Sequence, residues 1–276
     1  MTVAVWVKVF DGIVLSTDSA STALLPNGSA QVYNNADKIF HLHRKLPIGA
    51  MTWGLGQIGP ASISTVSKSL RLRLMGRDPD HPEWEVDADT YTIEGVAERV
   101  AEMFCELMKQ TNQDDWPGQL GYLVAGFSAK SDQSEAWLLK FEDKVDEVPG
   151  PEQVASTDRW GYEAYAQPDA VDRLFRGYDQ RLLARLLAAT PPQHHADMVA
   201  LLEEHHRVPL HPAMPFPDAI ALAKFMVETT AGFTHFNLGP DTVGGPVEVA
   251  GINLHEGFRW IKRKHYFSTE LNQGEL

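Results

Sequence analysis

The sequence predicts an α+β protein built in layers, and three observations predict it. The chain opens on a strand that is apolar on nearly both faces. Strands come first, then two helices, then strands again. The regular strand–helix alternation of a doubly wound fold is missing.

Each element can be read in order. Val3, Val5, Val7 and Val9 form one face of the first strand, and Ala4, Trp6 and Phe10 fill most of the other, interrupted by Lys8. Such a strand must be covered on both sides. Asp11-Gly12 is a hairpin signal, and residues 13–17 return as a second strand. Residues 19–35, rich in Ser, Asn, Gly and Ala, read as an irregular loop, followed by strands over 37–42 and 48–53. Gly54-Leu55-Gly56-Gln57-Ile58-Gly59 lacks both GxGxxG spacing and a terminal Lys-Ser/Thr, so nucleotide binding is not expected there. Residues 60–75 and 93–110 have helical apolar spacing, and 120–127 with 135–141 read as a strand pair. Helices are expected over 171–189 and 218–230, and a strand over 247–253 with its partner at 257–261.

Composition narrows the function. Lys+Arg number 24 against 37 Asp+Glu, a net charge of −13, which argues against a nucleic-acid or anionic-membrane surface. The single Cys105 excludes an intrachain disulfide and, lying in an apolar-periodic stretch, reads as a buried structural thiol. A reducing, cytoplasmic setting fits. The first residues do not form a signal peptide, and no window reaches the ~18 apolar residues of a membrane span.

A buried strand starting at residue 2 is unusual, because termini normally fray. Loss of Met1 leaves Thr2 as the first residue; the plainer reading is that Thr2 is a good β-former. The pattern as a whole resembles the proteasome β-subunit family, the N-terminal-nucleophile hydrolases with an N-terminal threonine. The resemblance is carried by Thr2, Asp11-Gly12, Leu15-Ser16-Thr17-Asp18-Ser19-Ala20, Asp37-Lys38-Ile39, Trp53-Gly54, the stretch 121–126, Ala219-Ile220-Ala221-Leu222-Ala223, and Asp241 with the residues through Val249, in family order.

It implies a four-layer αββα sandwich of two stacked antiparallel sheets flanked by helices. The chain exceeds what this fold usually needs, so residues 1–276 are expected to form one domain with a helical, Pro-rich insertion at about 190–217. The resemblance makes Thr2 the nucleophile and its own α-amine the base. Asp18 holds Lys38, Lys38 lowers the proton affinity of the Thr2 oxygen, Gly54 supplies an oxyanion N–H, and Asp241 is the family's later aspartate. It also implies a homo-oligomer, as a ring or helical assembly, acting on peptides or proteins without cofactor or metal. Whether an ATP-driven unfoldase feeds it stays open.

Hairpin geometry bears on this. A two-residue turn at Asp11-Gly12 pairs positions summing to 23 and puts Asp18 on the opposite face from Thr2. A three-residue loop over Phe10-Asp11-Gly12 makes the sum 22, and the two share a face. The catalytic reading is therefore expected to need the longer loop.

The chain departs from the family at two hydroxyls. The family's Gly-Ser-Gly-like element is Tyr165-Ala166-Gln167-Pro168 here, and its later serine is Gly244. Thr242 and Gln167 are the candidate substitutes. These losses favour the rival reading, a catalytically silent subunit of the same fold acting as a scaffold or binding protein. His194, His195, His205, His206 and His211 are dense but lack a known ligand spacing, and read as a polar helix. Lys262-Arg263-Lys264-His265 reads as a solvated strand end, and Trp116, Trp137 and Trp160 as core or subunit contacts.

Overall fold

The structure is a computed structural model, described over residues 2–24, 30–142, 144–238 and 242–264. In chain order the elements are β1 (Ala4–Val9), β2 (Gly12–Thr17), β3 (Ser21–Leu24), β4 (Ala30–Tyr33), β5 (Ile39–His41), β6 (Ile48–Gly54), β7 (Gln57–Ile58), β8 (Ala61–Ser62), α1 (Ile63–Leu74) and α2 (Ile93–Lys109). They continue with β9 (Leu120–Gly126), β10 (Glu135–Phe141), β11 (Glu152–Ala155), β12 (Gly161–Tyr165), α3 (Asp169–Phe175), α4 (Gln180–Ala189), α5 (His195–Glu203), α6 (Phe216–His235), β13 (Glu248–Asn253) and β14 (Gly257–Lys262).

Two five-stranded sheets dominate, in the orders β12-β1-β2-β13-β14 and β11-β10-β9-β6-β5. Every pairing in them is antiparallel. The apolar pattern of β1 explains its neighbours. Val3, Val5, Val7 and Val9 pack with Ala219, Ala223, Met226 and Val227 of α6. On the other face Ala4 and Trp6, with Ile13 and Leu15, join Ile39, Met51, Leu123 and Ala125 of the second sheet. The far side of that sheet, including Tyr122 and Val124, packs with Val66 and Leu70 of α1 and Val100 and Phe104 of α2. Full burial of one such side chain contributes roughly 1.5–3 kcal/mol. Helix α2 shows how the local sequence directs this: Thr92 accepts a cap bond from the Gly95 N–H, and Ile93, Val96, Ala97, Val100, Phe104 and Met108 form its buried stripe. Cys105 is buried in the same cluster, and burial pushes its thiol pKa up, as a structural thiol requires.

Four expectations need correction. The β1–β2 hairpin has neither a turn at Asp11-Gly12 nor a three-residue loop: Val9 pairs with Gly12, so Phe10 and Asp11 are the turn residues and paired positions sum to 21. The polar stretch after β2 is not wholly irregular, because β3 and β4 pair within it. The helix expected over 171–189 is two helices, interrupted at Gly177, whose φ of +83° lies in the left-handed region that glycine tolerates. Lys264 is not a solvated strand end; its side chain is only 5% exposed. Of the three tryptophans, Trp116 is buried, Trp137 packs against the α1–α2 cluster, and Trp160 is exposed.

Among the described residues, no helix is long and apolar enough to cross a membrane. The 190–217 segment contains a 3-10 turn (Pro192–His194) and α5, neither with a buried residue.

His41, on β5, stacks on Phe258 of β14 with ring centroids 4.3 Å apart. Burial, reinforced by the charge of Arg71, lowers its pKa from 6.5 to about 4. The unfolded chain therefore binds this proton at higher pH than the folded one. Stability contributed by the neutral ring is complete above about pH 6.5 and is lost as pH falls toward 4. His41→Phe, which keeps a stacking ring, is expected to shrink the fall in thermal midpoint between pH 7.5 and 5 relative to wild type; an equal fall in both proteins contradicts this.

Candidate active site

Thr2 precedes β1, Asp18 follows β2, and Lys38 directly precedes β5, so the three meet where the ends of the two sheets face each other. Lys38 Nζ donates to Thr2 Oγ1 at 2.6 Å, to Asp18 Oδ1 at 2.8 Å and to the Ala20 carbonyl at 2.6 Å. An ammonium has three protons, and these three acceptors use all of them. The Lys38 backbone is held in turn, its carbonyl accepting from Thr52 N of β6 at 2.9 Å.

Asp18 is wholly buried, and its carboxylate is saturated with donors. Oδ1 also accepts from Val3 N at 3.2 Å, and Oδ2 accepts from Ala20 N and Gly244 N, each at 3.0 Å. A buried carboxylate is tolerated only with this kind of pairing. The same burial acts on Lys38. Desolvation pushes its pKa below the usual lysine value, and the carboxylate of Asp18 opposes that shift without cancelling it.

The longer hairpin loop is not needed to bring Thr2 and Asp18 together. Strand β1 begins at Ala4 and β2 ends at Thr17, so both residues lie just outside the ladder. Their side chains do not follow the strict alternation that ruled out the short turn, and Lys38 spans the gap from the opposite sheet.

Thr2, Lys38, Thr52, Gly54, Ser21 and Asp37 are among the residues lining a cavity of about 400 Å³. Asp37 accepts from Ser64 Oγ at 3.1 Å and lies 3.6 Å from Lys68 Nζ. Gly54 ends β6 at this cavity with φ +88°. In the structure a Cβ would stand 2.1 Å from the Gln119 carbonyl oxygen, so the neighbouring strand requires the glycine.

The remaining candidates divide. Asp241 lies outside the described residues. Gly244 reaches the site through its backbone: its N–H meets Asp18, and its carbonyl accepts from Ser19 N at 2.9 Å. Gln167 and Thr242 line a different cavity of about 400 Å³, beside α3 and α6, which Thr2 does not line. His195 Nε2 bonds the Thr190 carbonyl and His206 Nε2 bonds the Tyr162 hydroxyl, so these two rings engage separate partners.

Sequence reasoning missed Ser19, Glu248 and Lys264. Lys264 Nζ donates to Ser19 Oγ and to the Ala36 carbonyl, both at 2.6 Å, and lies 3.1 Å from Glu248 Oε2. The available signal was Glu248 itself, a lone charge between Val247 and Val249 in an otherwise apolar run.

The comparison with solved structures speaks to the fold: the chain has a proteasome-like fold. The solved structure that carries this statement is Anbu (ancestral beta-subunit) from Yersinia bercovieri, with a TM-score of 0.54 and 13% sequence identity over 95% of this chain and 88% of that one. No family model matches the sequence, and no curated protein does.

Two substitutions test the local physics. Asp18→Asn leaves the Lys38 ammonium without its counter-charge and is expected to destabilise the fold by about 3 kcal/mol in urea unfolding. Gly54→Ala is expected to cost about 2 kcal/mol or more, because left-handed backbone and a carbonyl clash coincide there. Wild-type midpoints in both variants contradict the two assignments.

Proposed function

We propose that the chain is a threonine-type N-terminal-nucleophile amide hydrolase, a peptidase that becomes active when Met1 is removed. The single observation that carries this reading is the Lys38 ammonium shared between Thr2 Oγ1 and Asp18 at the wall of a cavity. Such an ammonium stabilises negative charge developing on the threonine oxygen.

The chemistry follows from that arrangement. Thr2 Oγ attacks a substrate amide carbonyl, and its proton passes to the α-amine that loss of Met1 exposes. An α-amine titrates near 7.7–8.0, close to what a general base needs at neutral pH. The protonated amine then gives its proton to the departing amine as the C–N bond breaks. Water hydrolyses the ester left on Thr2 and restores the hydroxyl. Asp18 fixes Lys38, the Gly54 N–H takes the carbonyl oxygen, and Asp241 supports the site.

In this reading residues 1–276 form one domain, a four-layer αββα sandwich with an insertion at about 190–217. The protein works in the cytoplasm on peptides or unfolded protein. Self-association into a homo-oligomer is supported by the large exposed apolar side chains Leu174, Phe225, Phe233 and Phe236 on α3, α6 and its C-terminal end.

A second reading has an observation in its favour. Position 244 has no side chain to supply a hydroxyl, and Gln167 and Thr242 line another cavity. A silent scaffold of the same fold accounts for this. Intact mass of the purified protein, before and after treatment with a peptide epoxyketone, separates the two. The hydrolase reading expects loss of Met1 and one adduct, absent in Thr2→Ala, because this reagent needs a hydroxyl and an α-amine on one residue. Retention of Met1, or no Thr2-dependent adduct, moves the assignment to the scaffold.

A further inference from the structure

A second lysine lies buried behind the first. Lys264 follows β14, and its side chain is 5% exposed beside Glu248, which opens β13 and is 1% exposed. Its Nζ donates to Ser19 Oγ and to the Ala36 carbonyl. These contacts fall on the two segments that build the Thr2 site. Ser19 sits between Asp18 and Ala20, which both contact Lys38, and Ala36 lies two residues before Lys38. Ala36 N also donates to the Ser19 carbonyl at 3.0 Å, so the ammonium clamps a junction already joined by backbone. Ser19 Oγ in turn donates to the Pro246 carbonyl, drawing in the segment that carries Gly244.

We propose that Lys264, neutralised by Glu248, is a positioning residue for the Thr2 site: it locks the Asp18 and Lys38 segments together and sets the charge environment of the Lys38 ammonium. This rests on the hydrolase reading for its purpose, though not for its geometry. No side-chain hydroxyl is available at 244, and a cation held by Ser19 and Ala36 supplies rigidity from the same side of the site.

Among the described residues, the charged groups facing Lys38 come from several elements. Asp18 approaches from the end of β2, Glu248 from β13, and Lys264 from beyond β14. Asp37 is its chain neighbour, paired with Lys68 of α1 across the cavity, and the Thr2 α-amine joins them once Met1 is lost. Lys264 disfavours the charged form of Lys38, and Glu248 favours it less strongly.

The test follows the Lys38 proton directly. In protein carrying 13C at lysine Cε, the Lys38 signal (assigned by its absence in Lys38→Arg) is titrated in wild type, Lys264→Met and Lys264→Arg. Lys264→Met is expected to raise the Lys38 midpoint, and Lys264→Arg to leave it near wild type. The rate of Thr2 labelling is expected to follow, its alkaline limb moving upward in Lys264→Met and returning in Lys264→Arg. Where Lys264→Met does not fold, the double variant Lys264→Met/Glu248→Gln removes both buried charges and is expected to shift the midpoint in the same direction by less. A Lys38 midpoint unmoved in the methionine variants overturns the proposal, since a clamp with no electrostatic reach would lower the rate at every pH without moving a titration. Absence of Thr2 labelling in wild type is a separate result: it overturns the hydrolase reading and leaves the Lys38 titration to decide this one.

Discussion

The buried pair of Asp18 and Lys38 is the constraint on which the rest of the site depends. Both groups are withdrawn from water, 2.8 Å apart. Removing two such charges from solvent is compensated only when each finds nearly ideal partners. Those partners come from several parts of the chain: Val3 from just before the first strand, Ala20 from two residues further along than Asp18, Gly244 from the loop before β13, and Lys38 from the other sheet. Satisfying one carboxylate therefore brings four segments to one point, and Thr2 is carried there with them.

The strands make this possible by ending where they do. Inside a ladder, alternation would separate Thr2 from Asp18. Just past the last pair the backbone is free of that rule, and a lysine entering from the other sheet can reach both residues. The inter-sheet cluster around Trp6, Leu15, Met51 and Leu123 holds the two sheets at the separation that this reach requires. The stacking of the sheets and the placement of the candidate nucleophile are thus one geometric fact.

Around the pair, backbone often stands where a side chain was expected. Gly244 contributes an N–H and a carbonyl in place of a hydroxyl. Gly54 is a glycine because the Gln119 carbonyl occupies the place of a Cβ. Behind both lies the Lys264–Glu248 pair, a second buried charge system that meets the first at Ser19 and Ala36. A site of this kind is stiff, because displacing any one member leaves a buried polar group without a partner.

The sequence by itself determined the elements whose physics is local. The two-faced apolar run of β1, the 3.6-residue stripe of α2 and the paired apolar runs of β9 and β10 each require their form whatever surrounds them. The lone charge at Glu248 was also visible as an anomaly. Thr2, Asp18 and Lys38 were legible only as members of a pattern, since nothing local distinguishes them from a β-former, a turn residue and a surface cation. The tertiary structure decided the rest. It set the turn at Phe10 and Asp11, divided the helix at Gly177, paired β3 with β4, and buried Lys264 out of a basic run that looks solvated. The physical reason is plainest at Lys264: its partners Ser19 and Ala36 lie more than two hundred residues away, and the free energy of those contacts exists only once the sheets have come together.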